Sequence, residues 1–231
     1  MKKSFLLILF VAIVCSISAQ HKGVLKVLEG KIIEGQFFVD KLHILDEFKD
    51  GRVTLNNGET YAGKLNINTL DQSLRILNDK GDTIRIDSEK EVSVVSVGRD
   101  FFKKINNQYA QLINTDGEVS LALVRKMVIG AEKLQGAYGG TSTVQAISKL
   151  AALEDDSRFD KITGTINLEY FYDELLFLID KNGRMQLATK KNFERLFPKK
   201  KKLISQYLSE TDVKFHRKED LMAFFTYLIS N

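Results

Sequence analysis

Residues 48–100 read FKDGRVTLNNGETYAGKLNINTLDQSLRILNDKGDTIRIDSEKEVSVVSVGRD. Short runs of alternating apolar and polar residues are separated by polar clusters that carry glycine. A period of two is the signature of a strand with one buried face. Asp50-Gly51, Asn57-Gly58 and Lys80-Gly81 punctuate the stretch. The first two are strong hairpin signals, because two-residue type I′ turns need φ > 0 at both central positions. The pattern predicts a meander of neighbouring antiparallel strands at 52–55, 60–68, 73–77, 83–86 and 92–97. Gly63, inside the second run, predicts a bulge or a close backbone approach. Runs at 101–105, 109–113 and 118–129 extend the sheet, the last entered through Asp116-Gly117. No helical crossover pattern lies between these runs, so βαβ topology is not expected.

Upstream, residues 20–46 fit one or two strands with Gly30 and Gly35 as turns or bulges, and a short helix near 40–48; the periodicity there serves either. Downstream, 131–143 is a break in composition, rich in Gly, Thr and Ser, followed by a short helical stretch at 144–153 and an acidic turn, Glu154-Asp155-Asp156. Residues 165–179 (TINLEYFYDELLFLI) and 184–189 flank Asn182-Gly183 and predict a second hairpin. Beyond Thr189 the period changes. Phe193, Leu196, Phe197, Leu203, Ile204, Tyr207 and Leu208 recur at helical spacing, with Pro198 suited to the first turn of a new helix. Leu221, Phe224, Phe225 and Leu228 trace one face of a last helix, with Glu219 and Asp220 in its first turn.

The fold class expected is therefore α+β: an antiparallel β-rich body (meander, roll or partly open barrel) followed by two to three C-terminal helices. The expected divisions are a signal peptide at 1–19, the β-rich body at 20–135, a glycine-rich loop and acidic connector at 136–164, a hairpin joining the body at 165–189, and a basic helical C-terminus at 190–231. A transmembrane β-barrel is disfavoured, since spanning strands need about 9–11 residues and most runs here are shorter.

The first twenty residues carry the compartment. Lys2 and Lys3 precede an apolar run from Phe5 to Cys15, which gives way to Ser16-Ile17-Ser18-Ala19-Gln20. A positive start, a short apolar middle and a small-residue exit describe a secretory signal peptide cut after Ala19. The apolar run is too short for a membrane anchor. Cys15 does not suit lipidation, because Val14 stands where a small residue is wanted. With the leader gone the chain has no cysteine, so disulfides, thiolate nucleophiles and cysteine metal sites go together. The formal charge falls from +4 to +2 with Lys2 and Lys3. Global basic character that would recruit nucleic acid is absent.

Motifs for chemistry are sparse. His21, His43 and His216 are scattered, with no zinc spacing, and no metal or cofactor is expected. No G-x-S-x-G elbow and no phosphate loop occurs. Asp155-Asp156 lies in a solvated acidic turn. Asp173 and Glu174, as neighbours on a strand, point to opposite faces and cannot both line one pocket unless the strand is bulged, so neither pair suits a glycosidase. No catalytic residue is assigned. Two stretches suit contacts instead. Tyr138, Gly139, Gly140, Thr141 and Ser142 form a loop whose hydroxyls would hydrogen-bond a sugar or peptide. Lys199, Lys200, Lys201 and Lys202 lie in a tail (181–231) with 12 Lys/Arg against 5 Asp/Glu, a net of +7, whereas 141–180 has 3 against 8, a net of −5. The two segments attract each other or share a solvated surface, and the lysine run would alternatively meet lipid head groups or an acidic glycan.

The leader ending in SAQ, the phrase KDGRVTLNNGETYAGKLN, the GAYGGTS loop and the FPKKKKLISQYL tail together resemble uncharacterised exported proteins of Bacteroidota-type envelopes. The resemblance implies a periplasmic or outer-membrane-peripheral location and carries no functional residues. The function expected is a non-enzymatic binding or structural module of the envelope. Its partner would be an envelope protein or an anionic surface component, with no nucleic acid and no transmembrane span after leader removal. The alternative is a glycan- or peptide-directed hydrolase whose acids assemble from distant segments.

Overall fold

The computed structural model describes residues 20–29, 31–86, 91–130 and 164–231. The leader, the Tyr138–Ser142 loop, the 144–153 stretch and Glu154-Asp155-Asp156 lie outside the described residues. The chain is an open antiparallel sheet of twelve strands followed by helices. The strands are β1 (His21–Leu28), β2 (Lys31–Glu34), β3 (Lys49–Leu55), β4 (Thr60–Ile67), β5 (Leu74–Leu77) and β6 (Thr83–Arg85). They continue with β7 (Val92–Val97), β8 (Asp100–Ile105), β9 (Gln108–Thr115), β10 (Val119–Ile129), β11 (Thr165–Asp180) and β12 (Met185–Leu187). Their spatial order is β2-β1-β11-β10-β9-β8-β7-β3-β4-β5-β6, with β12 added to the far end of β11. The helices are α1 (Gln36–Lys41), then α2 (Lys190–Leu196), a 3₁₀ turn Pro198–Lys200, α3 (Lys201–Glu210) and α4 (Lys218–Ser230). The expected α+β body with C-terminal helices is what forms.

The strands follow the alternation of their sequence, but one expected turn is not a turn and another has a different geometry. Asp50-Gly51 is not a turn; it lies inside β3, where Gly51 faces Gly63 on one side and Val97 on the other. A Cβ on Gly51 would stand 2.7 Å from the Ser96 carbonyl oxygen, so the residue is glycine for closeness rather than for turning. Gly63 sits in unbroken register, with no bulge. Asn57-Gly58 turns the chain, though in a four-residue loop between Leu55 and Thr60 where only Gly58 has positive φ. The two-residue type I′ turn is Asn106-Asn107, both at positive φ (50° and 59°), with Ile105 and Gln108 paired across it. The short helix near the start is Gln36–Lys41 and not 40–48, because the chain from His43 to Glu47 is tied to β4. Within that segment Leu45 donates its N–H to Asn66 Oδ1 at 3.0 Å.

One half of the sheet curls onto itself. β10 and β4 are five places apart in the order, about 24 Å across a flat sheet. Yet the Met127 N–H donates to the Thr69 carbonyl at 2.9 Å, and Gln72 Nε2 donates to the Arg125 carbonyl at 2.9 Å. The cause is a vacancy on β10. Strand β9 pairs with it only as far as Val124↔Ala110, so residues 125–129 have a free side that the β4–β5 loop occupies. Inside the curl Val53, Leu65, Leu74, Val95, Phe102 and Tyr109 pack together, each at most 1 % exposed. Leu25, Val27, Phe38 and Tyr170 form a second cluster where α1 lies on β1 and β11.

Helices α2–α4 cover the same face of β9–β11 at its other end. Leu121, Leu123, Leu176 and Leu178 meet Phe193, Phe224, Phe225 and Leu228 there. The last four residues come from the two helices whose 3.6-residue periodicity faces the sheet, and each fully buried one is worth roughly 1.5–3 kcal/mol. Thr189 caps α2 by accepting the Asn192 N–H, and Pro198 opens the 3₁₀ turn where a missing N–H costs nothing.

Candidate functional site

Two surfaces bring polar chemistry together among the described residues. The first is a row across the covered face of the sheet, between the helical cap and the β4–β5 loop. Asp100 of β8 accepts Gln111 Nε2 at 2.8 Å, and Gln111 Oε1 accepts Arg125 Nη1 at 2.7 Å. Arg125 Nε donates to Glu174 Oε1 at 3.1 Å, and the Tyr172 hydroxyl donates to the same oxygen at 3.2 Å. Alternation puts these side chains on one face, and register sets Arg125 directly opposite Glu174. Burial, then the neighbouring Glu174 charge, pushes the Tyr172 hydroxyl well above the usual tyrosine range, so it stays a donor. The two carboxylates do not form a hydrolytic pair: Asp100 and Glu174 are three strands apart, about 14 Å along a sheet, with Gln111 and Arg125 bonded between them. The row is a self-satisfied network that pins β8, β9, β10 and β11 in register.

The β4–β5 loop, with Asn66 at the end of β4 and Arg75 in β5, is a second polar hub, and its role is structural. Asn66 Nδ2 donates to the Leu45 carbonyl at 2.8 Å, Thr69 Oγ1 to the Lys41 carbonyl at 2.6 Å, and Gln72 Oε1 accepts the Tyr109 N–H at 3.2 Å. Arg75 is buried with its Nη2 at 2.9 Å from Asp71 Oδ2. His43 lies beside this pair. Burial and the Arg75 charge hold its imidazole below the ordinary histidine value, against the opposing pull of Asp71. His21 is elsewhere, stacked 3.7 Å from Phe37, and among the described residues no three metal-ligating side chains gather.

The second surface is the basic stretch 190–202. Its sequence places Lys190, Lys191 and Arg195 on α2, Lys199 and Lys200 in the 3₁₀ turn, and Lys201 and Lys202 at the start of α3. The apolar residues between them, Phe193, Phe197 and Ile204, are buried, which turns the cations outward. Lys190 sits 3.9 Å from Glu194. Lys200 differs from its neighbours: it is half-buried and its Nζ donates to the Leu228 carbonyl, at the C-terminal end of α4 where orphan carbonyls and the helix dipole favour a cation. Lys191, Arg195, Lys199, Lys201 and Lys202 are exposed, and no hydrogen bond or ion pair engages them among the described residues. The four-lysine run thus divides into one capping residue and three cations without a partner among the described residues, joined by two from α2.

Of the residues expected to make contacts, Lys199, Lys201 and Lys202 share this surface, and Lys200 turns inward. Tyr138, Gly139, Gly140, Thr141 and Ser142 lie outside the described residues. The Gln111–Arg125–Glu174 row had no signal in the sequence, because its members are 14 and 49 residues apart. No helix among the described residues is long and apolar enough to cross a membrane. No protein-family model, no curated protein and no solved structure matches the chain.

Proposed function

We propose that this protein is an exported, non-enzymatic module of the cell envelope that docks to an anionic surface component through the helical stretch 191–202. The observation that carries the reading is the set of five exposed cations, Lys191, Arg195, Lys199, Lys201 and Lys202, without a partner among the described residues. Exposed like charges within one twelve-residue stretch repel one another, and a polyanion relieves the repulsion. Each cation near an anionic surface contributes about 1 kcal/mol, so the attraction is collective. Export rests on the leader, and absence of catalysis on the lack of any motif for it.

The test is co-fractionation with envelope material across a salt series. At an ionic strength of about 1 M the screening length falls to about 3 Å, and the protein is expected to leave the envelope fraction. Retention at high salt, or unchanged association of a Lys199→Glu, Lys201→Glu, Lys202→Glu variant, would overturn the reading.

A further inference from the structure

The segment between α1 and β3 reaches β10 through a short relay in the β4–β5 loop. The Thr69 N–H donates to the Leu42 carbonyl at 2.8 Å, and the Thr69 carbonyl accepts the Met127 N–H of β10 at 2.9 Å. His43, next to Leu42, bridges to Asn68, next to Thr69. Its half-buried ring lies 5.6 Å from the Phe48 ring, centre to centre. The charges that act on it are Arg75 of β5 and Asp71 of the loop. Both Asp71 oxygens are engaged. Oδ1 accepts the Ser73 N–H and hydroxyl, and Oδ2 has the buried Arg75 at 2.9 Å and Arg85 of β6 at 3.7 Å.

We propose that His43 is the trigger of an acid-sensitive latch, whose protonation releases the β4–β5 loop from residues 125–129 of β10. A proton on the imidazole sets a second cation beside buried Arg75, where the one nearby carboxylate already has its partners. Moving the ring away from Arg75 pulls on Leu42 and Asn68, and through Thr69 on the bond to Met127. The sign follows from the site. Burial and the Arg75 charge, opposed by Asp71, hold the folded imidazole below its ordinary 6.5, so the open loop takes the proton first and opening gains as pH falls through that value.

What the latch covers gives the switch an output. Strand β9 stops pairing with β10 at Val124, and beyond it the loop engages the Arg125 carbonyl and the Met127 N–H. Released, these backbone groups form a strand edge to which another chain can add. On its other side β10 stays paired with β11 from Val119 to Ile129, so the opening is local.

Hydrogen exchange on the full chain across about pH 7 to 5, expressed as protection so that the intrinsic pH dependence is removed, tests the latch. The Met127 amide is expected to lose protection as pH falls, by at most about tenfold per pH unit, the ceiling for one proton. Amides of the β10–β11 ladder are expected to keep theirs, and in His43→Gln the Met127 protection is expected to stay level. Should that variant fail to fold, the imidazole titration of the parent chain by NMR decides, with a His43 midpoint expected below 6.5. Constant Met127 protection, a loss shared by the ladder, an unchanged pH dependence in His43→Gln, or a midpoint at or above the ordinary value each overturns the proposal.

Discussion

A methyl group on Gly51 would meet Ser96 O at 2.7 Å, Val97 Cγ2 at 2.8 Å and Leu65 Cδ1 at 2.9 Å. Backbone cannot yield as a side-chain tip does, so Gly51→Ala is expected to cost about 1–3 kcal/mol, read as a lower denaturant midpoint. Gly63→Ala, whose nearest neighbour is 3.4 Å away, is expected to stay within about 1 kcal/mol of the parent. His43 gives a pH dependence with a definite sign. Its folded value lies below the 6.5 of the unfolded chain, so as pH falls through 6.5 the unfolded state binds the proton first and stability is lost; above that pH its contribution is constant. His43→Gln is expected to flatten the melting temperature across about pH 7 to 5. The lysines also part at this scale. Lys200→Ala should lower stability by about 1 kcal/mol through the lost cap while leaving the proposed envelope association unchanged, and the glutamate variants of its neighbours should weaken that association with little change in stability.

Among elements, the β4–β5 loop decides how the sheet curves. Gln72→Ala removes the donor to Thr69 O and Arg125 O and the acceptor for the Tyr109 N–H. Thr69 O keeps the Met127 N–H, so the loss falls on Arg125 O and on the contact to the Tyr109 N–H, and a buried group left unpaired costs about 1–3 kcal/mol. Hydrogen exchange should show the Met127 amide, which the loop caps, losing protection in this variant more than amides of the β10–β11 ladder. Much of the element order was legible, because alternation in β3–β11 and the 3.6-residue spacing of Phe193, Leu221, Phe224 and Phe225 report burial directly. Turn chemistry was less so. Asp-Gly and Asn-Gly mark places where positive φ is cheap, and Gly51 is a glycine for a different reason, one that needs β7 and β4 in place to be seen. The Asn106-Asn107 turn carries a weaker residue signature and is fixed by the pairing around it. Of the basic surface, the cluster was visible and its division was not, since Lys200 finds its carbonyl 28 residues away.

For the whole molecule, the edge strands of the open sheet among the described residues, β2, β6 and β12, are short, with four, three and three residues, which limits their use as templates for another chain. The helical cap is more tightly bound. Phe224 lies 4.8 Å from Phe193 and 5.2 Å from Tyr207, ring centre to ring centre, and Phe224→Ala is expected to cost about 3–5 kcal/mol and to loosen the cap, measured as a lower melting temperature. The pairing of β1 with β11 has a consequence in time. The first strand to be synthesised has its main partner in Thr165–Tyr172, among the later parts of the chain. Until those residues are available, Leu25 and Val27 have only the short β2 and helix α1 beside them, and closing so long a loop is slow because its entropy is lost before the contacts repay it. The N-terminal core is thus the part of the molecule that folding completes late.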